Sequence, residues 1–230
     1  MISLEWYRKF LVLFAVGIFY TSFCDFTETH GVNALTWIML MGALTAPVLL
    51  HAAFENRWRL QPLIVWALGY LLISIVWYFP ALQDASAYRQ LRLRFLSMIF
   101  MCLMLFIFNR PEEQRFARYC VAAGVLFGVA MNIYELFHPM TFSNVPGRSM
   151  GLYSNINQSG CALMLGMIVS QPALPKRLRL PFSLIAAAGI VTTFSRGAIL
   201  GWIVVMGFWA VRGGLRPAQI GRVLVVLGLL

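Results

Sequence analysis

Long apolar runs follow one another along this chain, and they constrain its fold more than any other feature. Eight runs are separated by short polar segments; they cover residues of about 10–24, 34–54, 62–79, 95–109, 119–138, 159–171, 180–195 and 197–211. A ninth begins near Val223. Apolar segments of roughly 20 residues cross a bilayer as helices, which keep their backbone polar groups hydrogen-bonded there. The sequence therefore predicts an all-α, polytopic integral membrane protein with about eight transmembrane helices and the start of a ninth.

The composition supports this class. Of the 230 residues, 60% are hydrophobic and only 11% are charged, whereas a soluble domain carries about 25% charged residues. We predict a single transmembrane helical domain over residues 1–230. The ninth run has eight residues and rises only about 12 Å as a helix, against a hydrocarbon core of about 30 Å. The domain is therefore expected to be truncated at its C-terminus and to belong to a larger bundle.

The net charge of +10 has a membrane explanation. The basic residues lie mostly in short loops between apolar runs, where topology and anionic headgroups account for them. We therefore expect membrane lipids as partners and no nucleic acid. The four cysteines form no CxxC pair, and the three histidines lack ligand spacing. The sequence thus predicts neither a metal site nor a disulfide framework.

The distribution of basic residues predicts an orientation. Thirteen of the 18 lie on one side of the predicted membrane: Arg8, Lys9, Arg57, Arg59, Arg110, Arg115, Arg118, Lys176, Arg177, Arg179, Arg212, Arg216 and Arg222. The positive-inside rule makes that side, and the N-terminus, cytoplasmic. The outer side, the periplasm of a bacterial inner membrane, then receives Arg89, Arg92, Arg94, Arg148 and Arg196. An anionic ligand is one candidate for what compensates their charge.

Arg196 is the only charged residue between Leu180 and Val211. The runs on either side have about 15 residues each, or roughly 22 Å of helix. Two arrangements fit: tilted, deep-seated helices, or a short hairpin whose tip lies below the outer interface. A buried arginine needs a partner, either an anionic substrate or one of Asp25, Glu28, Asp84 and Glu135. The alternative is an arginine that snorkels to the headgroups.

Two further outer segments carry candidate site residues. In residues 80–94, Arg89 and Arg92 share a helical face; they form either a basic patch for phosphate or diphosphate, or a helix end with snorkelling arginines. Residues 138–159 are rich in Pro, Gly, Ser and Asn, which predicts an irregular loop. There Arg148 can pair with phosphate, Tyr153 can stack on a sugar ring, and four amides suit sugar hydroxyls: Asn144, Asn155, Asn157 and Gln158. The alternative is an ordinary loop whose Asn and Ser residues cap the next helix.

Two stretches carry a resemblance to a known family. They read GRSMGLYSNINQSGCAL over residues 147–163 and TTFSRGAILGW over residues 192–202. Together they resemble the O-antigen ligase and O-antigen polymerase superfamily, through a G-x-x-x-N-x-N pattern and an S-R-G turn. The matching residues are Gly151, Asn155, Asn157, Ser195, Arg196 and Gly197. Over the rest of the chain the resemblance consists of span number and hydropathy.

The resemblance implies a glycosyltransferase of lipopolysaccharide biosynthesis that uses no metal or other cofactor. Such an enzyme moves a glycan from undecaprenyl diphosphate to lipid A-core or to another glycan, on the periplasmic face of the inner membrane. Arg196 would contact the diphosphate, with Arg148, Arg89 and Arg92 as further candidates. The glycan or carrier site would include Asn155, Asn157, Tyr153 and Ser195. The catalytic base, a histidine in a large outer loop, is expected beyond residue 230, so the chain alone is expected to be inactive.

Two other functions fit the same residues. A lipid-linked sugar flippase, or another secondary transporter, also places arginines within the membrane. Such a protein is expected to have repeat symmetry and broken helices in both halves, which the sequence does not clearly show. The remaining alternative is a structural fragment without activity.

Overall fold

A computed structural model describes residues 4–54, 62–80, 84–212 and 221 of the chain. These residues form helices and turns, with no strand among them, which confirms the all-α class. The helices are α1 (Leu4–Ala15), α2 (Phe23–Thr29), α3 (Ala34–Phe54), α4 (Pro62–Tyr78), α5 (Ala85–Ile107), α6 (Pro111–Phe137), α7 (Ile156–Ser170), α8 (Lys176–Thr192) and α9 (Arg196–Val211). The predicted ninth run and four of the basic residues lie outside the described residues: Arg57, Arg59, Arg216 and Arg222.

Several helices are suited to cross a membrane. Among the described residues, α3, α5 and α6 are long and apolar enough to do so. A fourth span exists if α1, its π-helical continuation Val16–Tyr20 and α2 are taken together, although they meet at a bend of 53°. Both α4 and α9 are apolar but shorter. These lengths are compatible with a multi-pass membrane protein, whereas the count of eight spans stays a prediction.

The helix at the second outer segment begins earlier than expected. Residues 84–94 do not form a loop before a span; they are the first turns of α5. Asp84 starts the helix, because its side chain accepts a hydrogen bond from Ala87 N at 2.7 Å, as an N-cap residue does. This bond lowers the pKa of Asp84. Arg89 and Arg92 are therefore exposed residues of a continuous helix.

The chain divides into two compact units. The first contains residues 1–12 and 33–114, and the second contains residues 13–32 and 115–230. In the first unit, α5 packs against α3 and α4. Bulky apolar side chains such as Trp77 and Leu72 are 70% and 64% exposed there. Large apolar surfaces of this kind suit lipid tails.

A buried ion pair lies in the first unit. Arg8 Nη1 donates to Glu113 Oε1 at 3.1 Å, and both residues are buried. The other oxygen of Glu113 accepts from Arg110 N at 3.1 Å, at the start of α6. The neighbouring Glu112 is exposed. The two acidic residues of this first helical turn thus have different roles, although the sequence presents them as one pair.

The core of the second unit lies between α6, α7, α8 and α9. It contains Val125, Leu163, Ile190 and Trp202, each at most 2% exposed. Glycines permit the close approach of these helices. A Cβ added at Gly160 would lie 2.8 Å from Thr193 Oγ1 and within 3.0 Å of two further side chains of the α8–α9 turn and α9. The turn between α8 and α9 is therefore held tightly against the start of α7.

Candidate functional site

The turn between α8 and α9 presents Arg196. Phe194 takes a left-handed conformation with φ of 51°, Ser195 is the N-cap residue, and α9 begins at Arg196. The 16 residues of α9 span about 24 Å, less than the hydrocarbon thickness, which agrees with the predicted short hairpin. The Arg196 side chain is exposed. Within the described part of the chain, its guanidinium makes no hydrogen bond or ion pair.

Arg148 fastens the outer loop to this turn. Its Nε donates to Thr193 O and its Nη2 to Phe194 O, both at 3.1 Å. The next backbone N–H, of Ser149, donates to Thr192 O at 3.0 Å. These carbonyls lie at the C-terminal end of α8, where a cation is favoured by the helix dipole. Arg148 therefore lies beside Arg196 for a structural reason, and two of its guanidinium nitrogens are already engaged.

Glu135 organises the same loop from below. This residue of α6 is 3% exposed. Its Oε1 accepts from the backbone N–H groups of Phe142, at 3.2 Å, and Ser143. Its Oε2 accepts from those of Met150 and Gly151, at 2.7 and 3.0 Å. A buried carboxylate with four backbone donors is stable because each donor offsets part of its desolvation. The loop containing Arg148 is thus anchored at both sides of that residue.

The loop, the turn and the start of α7 surround an open cleft of about 930 Å³, which we call the arginine cleft. The described residues that line it are Gly147, Arg148, Asn157, Cys161, Phe194, Ser195, Arg196, Gly197 and Ile199. Two of them carry a guanidinium, and none of them is acidic. The arginine cleft is therefore a cationic site.

Two helix N-termini reinforce this charge. Asn157 lies in the first turn of α7, and Arg196 and Gly197 lie in the first turn of α9. The Asn155 side chain caps α7 by accepting from Asn157 N at 2.8 Å, whereas the Ser195 side chain makes no cap hydrogen bond. First-turn N–H groups have no partner within their own helix. Those of α9 are therefore available to an anion in the arginine cleft.

The structure brings four of the predicted site residues together: Arg148, Asn157, Ser195 and Arg196 all line the arginine cleft. Asn155 acts as a helix cap, the alternative that its sequence context also allowed. Tyr153 is 5% exposed and donates its hydroxyl to Tyr20 O at 2.7 Å, so its ring does not line the cleft. Arg89 and Arg92 belong to the first unit.

The acidic residues expected as partners of Arg196 are engaged elsewhere. The oxygens of Glu135 bind backbone N–H groups. Asp25 Oδ2 accepts from Ser22 Oγ at 2.5 Å, and Asp84 caps α5. Arg196 thus has no acidic partner among the described residues, and an anionic ligand is the remaining one of the two expected partners.

Sequence reasoning listed Glu135 only as a possible partner of Arg196 and missed its role as the loop anchor. The signal was available, since Glu135 is a lone carboxylate near the end of an apolar helix. It also missed Asn132, one turn earlier, which is 1% exposed and donates to Ser159 Oγ and Gly189 O at 3.2 Å. Both residues hold the cleft's elements together.

No family model, no curated protein and no solved structure matches this chain. Its function is therefore argued from the arginine cleft and from the two sequence motifs that meet there.

Proposed function

We propose that this chain forms the donor-binding part of a membrane glycosyltransferase of the O-antigen ligase and polymerase type. In this proposal, a glycan is moved from undecaprenyl diphosphate to lipid A-core or to another glycan, on the periplasmic face of a bacterial inner membrane. One observation carries the proposal: Arg148 and Arg196 line a single cleft at two helix N-termini, with no acidic side chain among its described lining residues.

The cleft suits a diphosphate leaving group. When the bond between the anomeric carbon and the carrier oxygen breaks, negative charge develops on the diphosphate. Guanidinium groups offer paired N–H donors that match phosphate oxygens. Donors fixed in position before the reaction stabilise such charge without reorganising. Arg148 is fixed by its two carbonyl contacts, and the exposed Arg196 can complete the binding.

An apolar stripe continues from the cleft along α9. Leu200, Val204 and Phe208 follow Arg196 at intervals of four residues, and they are 62%, 68% and 53% exposed. Residues four apart lie on one helix face. A polyprenyl tail can lie along this stripe while its diphosphate is bound by Arg196. The stripe is what a carrier with an anionic head and a long apolar tail requires.

The lining assigns the donor rather than the acceptor to this cleft. Transfer also requires a base that removes the proton of the acceptor hydroxyl. The described lining of the arginine cleft contains no histidine and no carboxylate. The proposal therefore gives these residues the binding and stabilisation of diphosphate, and it leaves proton removal to a group outside this lining.

A transporter of lipid-linked sugars is the second candidate, and one observation favours it. The first apolar run is broken: a π-helical turn is followed by Ser22 with φ of 58° and by α2. Asp25 lies next to this break. Discontinuous helices near a charged residue are typical of secondary transporters. Formation of a glycosylated product distinguishes the enzyme, and unaltered carrier appearing in the opposite leaflet distinguishes the transporter.

The binding step is testable with a native reporter. Cys161 lines the arginine cleft and is partly buried. In the full-length protein reconstituted with undecaprenyl diphosphate, we expect the lipid to slow Cys161 alkylation, read residue by residue by mass spectrometry. Arg196→Ala removes charge-assisted hydrogen bonds of about 1.5–3 kcal/mol. The lipid concentration needed for protection should therefore rise by about 10- to 100-fold.

Arg212→Ala is the matched control, because Arg212 follows the other end of α9 and lies over the Phe208 ring at 4.7 Å. It should leave protection unchanged. Glycan transfer by the same variants tests the reaction itself. Normal transfer and normal protection in Arg196→Ala would contradict the proposal.

A further inference from the structure

We propose that a second cavity of the second unit binds a neutral saccharide. The cavity has a volume of about 320 Å³ and lies between α2 and residues 141–154. We call it the Asp25 cavity; its polar lining includes Asp25, Thr29, Asn144 and Ser154, and Phe26 and Phe142 contribute rings. Naming the saccharide as the acceptor rests on the proposed function, whereas saccharide binding itself does not.

The charge of the Asp25 cavity is opposite to that of the arginine cleft. Asp25 is the only carboxylate among its described lining residues, and no lysine or arginine lines it. His30, which also lines it, stacks on Phe26 at 4.5 Å. A diphosphate would be repelled by Asp25. The cavity therefore calls for a ligand without negative charge.

Hydrogen-bonding capacity is left over on these walls. Asp25 Oδ2 accepts from Ser22 Oγ at 2.5 Å and from Gln158 Nε2 at 3.4 Å, while Oδ1 meets only the weak donor Cys24 Sγ at 3.6 Å. The Asn144 side chain is exposed and makes no hydrogen bond to another described residue. An amide that donates and accepts, beside a carboxylate oxygen with a free lone pair, matches the adjacent hydroxyls of a sugar.

Aromatic rings supply the apolar side of the cavity. Phe26 and Phe142 meet edge to face, with ring centroids 6.1 Å apart. Small-molecule sites typically combine such rings with a few placed polar groups, in volumes of roughly 300–1,000 Å³. The C–H face of a pyranose fits against a ring while its hydroxyls reach the polar wall. An ammonium group also suits rings and a carboxylate, but the neutral donors and acceptors here favour a polyol.

The cavity is built before any ligand binds. Met150 and Gly151 line it, and their backbone N–H groups are held by Glu135. Gly151 has φ of +60°, and a Cβ there would lie 2.8 Å from Asn132 Oδ1. Tyr153 is fixed by its bond to Tyr20 O. A wall fixed in this way does not have to be ordered by the ligand, which favours binding.

One segment separates the two sites. Arg148 lines the arginine cleft, and Met150 lines the Asp25 cavity two residues later. Asn157 lines the cleft, and its neighbour Gln158 donates to Asp25. A saccharide in the Asp25 cavity is thus separated from the diphosphate site only by residues 148–158. This arrangement suits an acceptor hydroxyl that must meet the anomeric carbon of a bound donor.

The test uses cysteine reporters in the full-length protein. Asn144→Cys and Ser154→Cys each place a thiol at an exposed position of the Asp25 cavity, and Ser154→Cys keeps the Asn144 amide. N-acetylglucosamine and galactose are the probes, with inorganic diphosphate and tetramethylammonium for comparison. We expect at least one sugar to slow labelling at both reporters and to leave Cys161 unaffected. Diphosphate should protect Cys161 and neither reporter.

Asp25→Asn tests the carboxylate with little change of shape. It should raise the sugar concentration needed for protection of the Ser154→Cys reporter by about tenfold, the loss expected for one hydrogen bond to a charged group. Glu28→Gln, an acidic residue of the same helix outside the described lining, should have no effect.

Absence of protection by either sugar overturns the proposal, as does protection by tetramethylammonium alone, which would indicate an amine site. Sugar protection without diphosphate protection of Cys161 would instead remove the proposed function and leave the saccharide site in place.

Discussion

The carboxylate of Glu135 accepts a hydrogen bond from the backbone N–H of Gly151 at 3.0 Å. This bond joins the end of α6 to a glycine with φ of +60°. Three further backbone N–H groups reach the same carboxylate, from Phe142, Ser143 and Met150. The loop that lines both the arginine cleft and the Asp25 cavity is thereby closed on one buried side chain.

Glu135→Gln should loosen this loop. The glutamine oxygen can accept two of the four N–H groups, and its NH₂ group faces the other two. Unsatisfied buried donors and the loss of charge-assisted bonds should lower the free energy of unfolding by about 3 kcal/mol. Hydrogen exchange read by mass spectrometry should speed up over residues 142–151.

Glu112→Gln is the control for Glu135→Gln, because Glu112 is an exposed carboxylate of the same helix. It should change neither the unfolding temperature nor exchange in the loop. Unchanged exchange over residues 142–151 in Glu135→Gln would show that the loop does not depend on this carboxylate.

Gly160→Ala should displace the turn that contains Arg196. Its Cβ would meet Thr193 Oγ1 at 2.8 Å, Ala198 Cβ at 2.9 Å and Ser195 Cβ at 3.0 Å. Two of these atoms are attached directly to the backbone, so relief requires a backbone shift. We expect a loss of about 1–3 kcal/mol in the free energy of unfolding and weaker protection of Cys161 by undecaprenyl diphosphate.

Gly197→Ala provides the comparison, since no atom lies within 4 Å of its added Cβ and its φ is not positive. Alanine is the better helix former by about 1 kcal/mol, so this variant should be as stable as the wild type or more so. Equal unfolding temperatures for the two variants would refute the close contact at Gly160.

The helices were predictable from the sequence because burial of apolar side chains and helix length are local properties. The run at residues 34–54 corresponds to α3 without adjustment. The start of α5 was not predicted, because the cap at Asp84 and the helix formers after it outweigh the polarity of residues 84–94. The break after Tyr20 was not predicted either, since the run that contains it is uniformly apolar.

The site was predictable where short motifs carried it. Both motifs contribute to the arginine cleft, through Asn157 and Arg148 on one side and Ser195 and Arg196 on the other. The anchors were not predictable, because Arg8 and Glu113 are 105 residues apart and nothing local pairs them. Long-range partners of buried polar groups depend on tertiary packing, which a single sequence does not display.

The buried pair of Arg8 and Glu113 should show a strong asymmetry between single and double variants. Their charged atoms are 3.1 Å apart with side chains 10% and 6% exposed. Glu113→Ala leaves Arg8 buried without its partner, which costs about 3–5 kcal/mol. Replacing both residues by leucine removes the unpaired charge and should restore much of that loss. Thermal unfolding of both variants and of Arg8→Leu completes the cycle, and additive effects of the two single changes would exclude coupling.

Tyr153 should make stability sensitive to alkaline pH. Burial raises the pKa of its phenol, and the charge of Asp25 adds to this effect. A raised folded-state pKa means that the contribution of Tyr153 is fully present below its unfolded pKa of about 10 and is lost as pH rises above that value. Tyr153→Phe removes the bond to Tyr20 O and should cost about 1 kcal/mol at neutral pH.

The difference in unfolding temperature between the wild type and Tyr153→Phe should therefore shrink as the pH is raised above about 10. Tyr88→Phe, at a position that is 61% exposed on α5, should follow the wild type throughout. The measurement is thermal unfolding in one detergent over a pH series. A constant difference across that series would show that the Tyr153 hydroxyl is not held in a buried hydrogen bond, and it would remove one of the supports of the loop between α6 and α7.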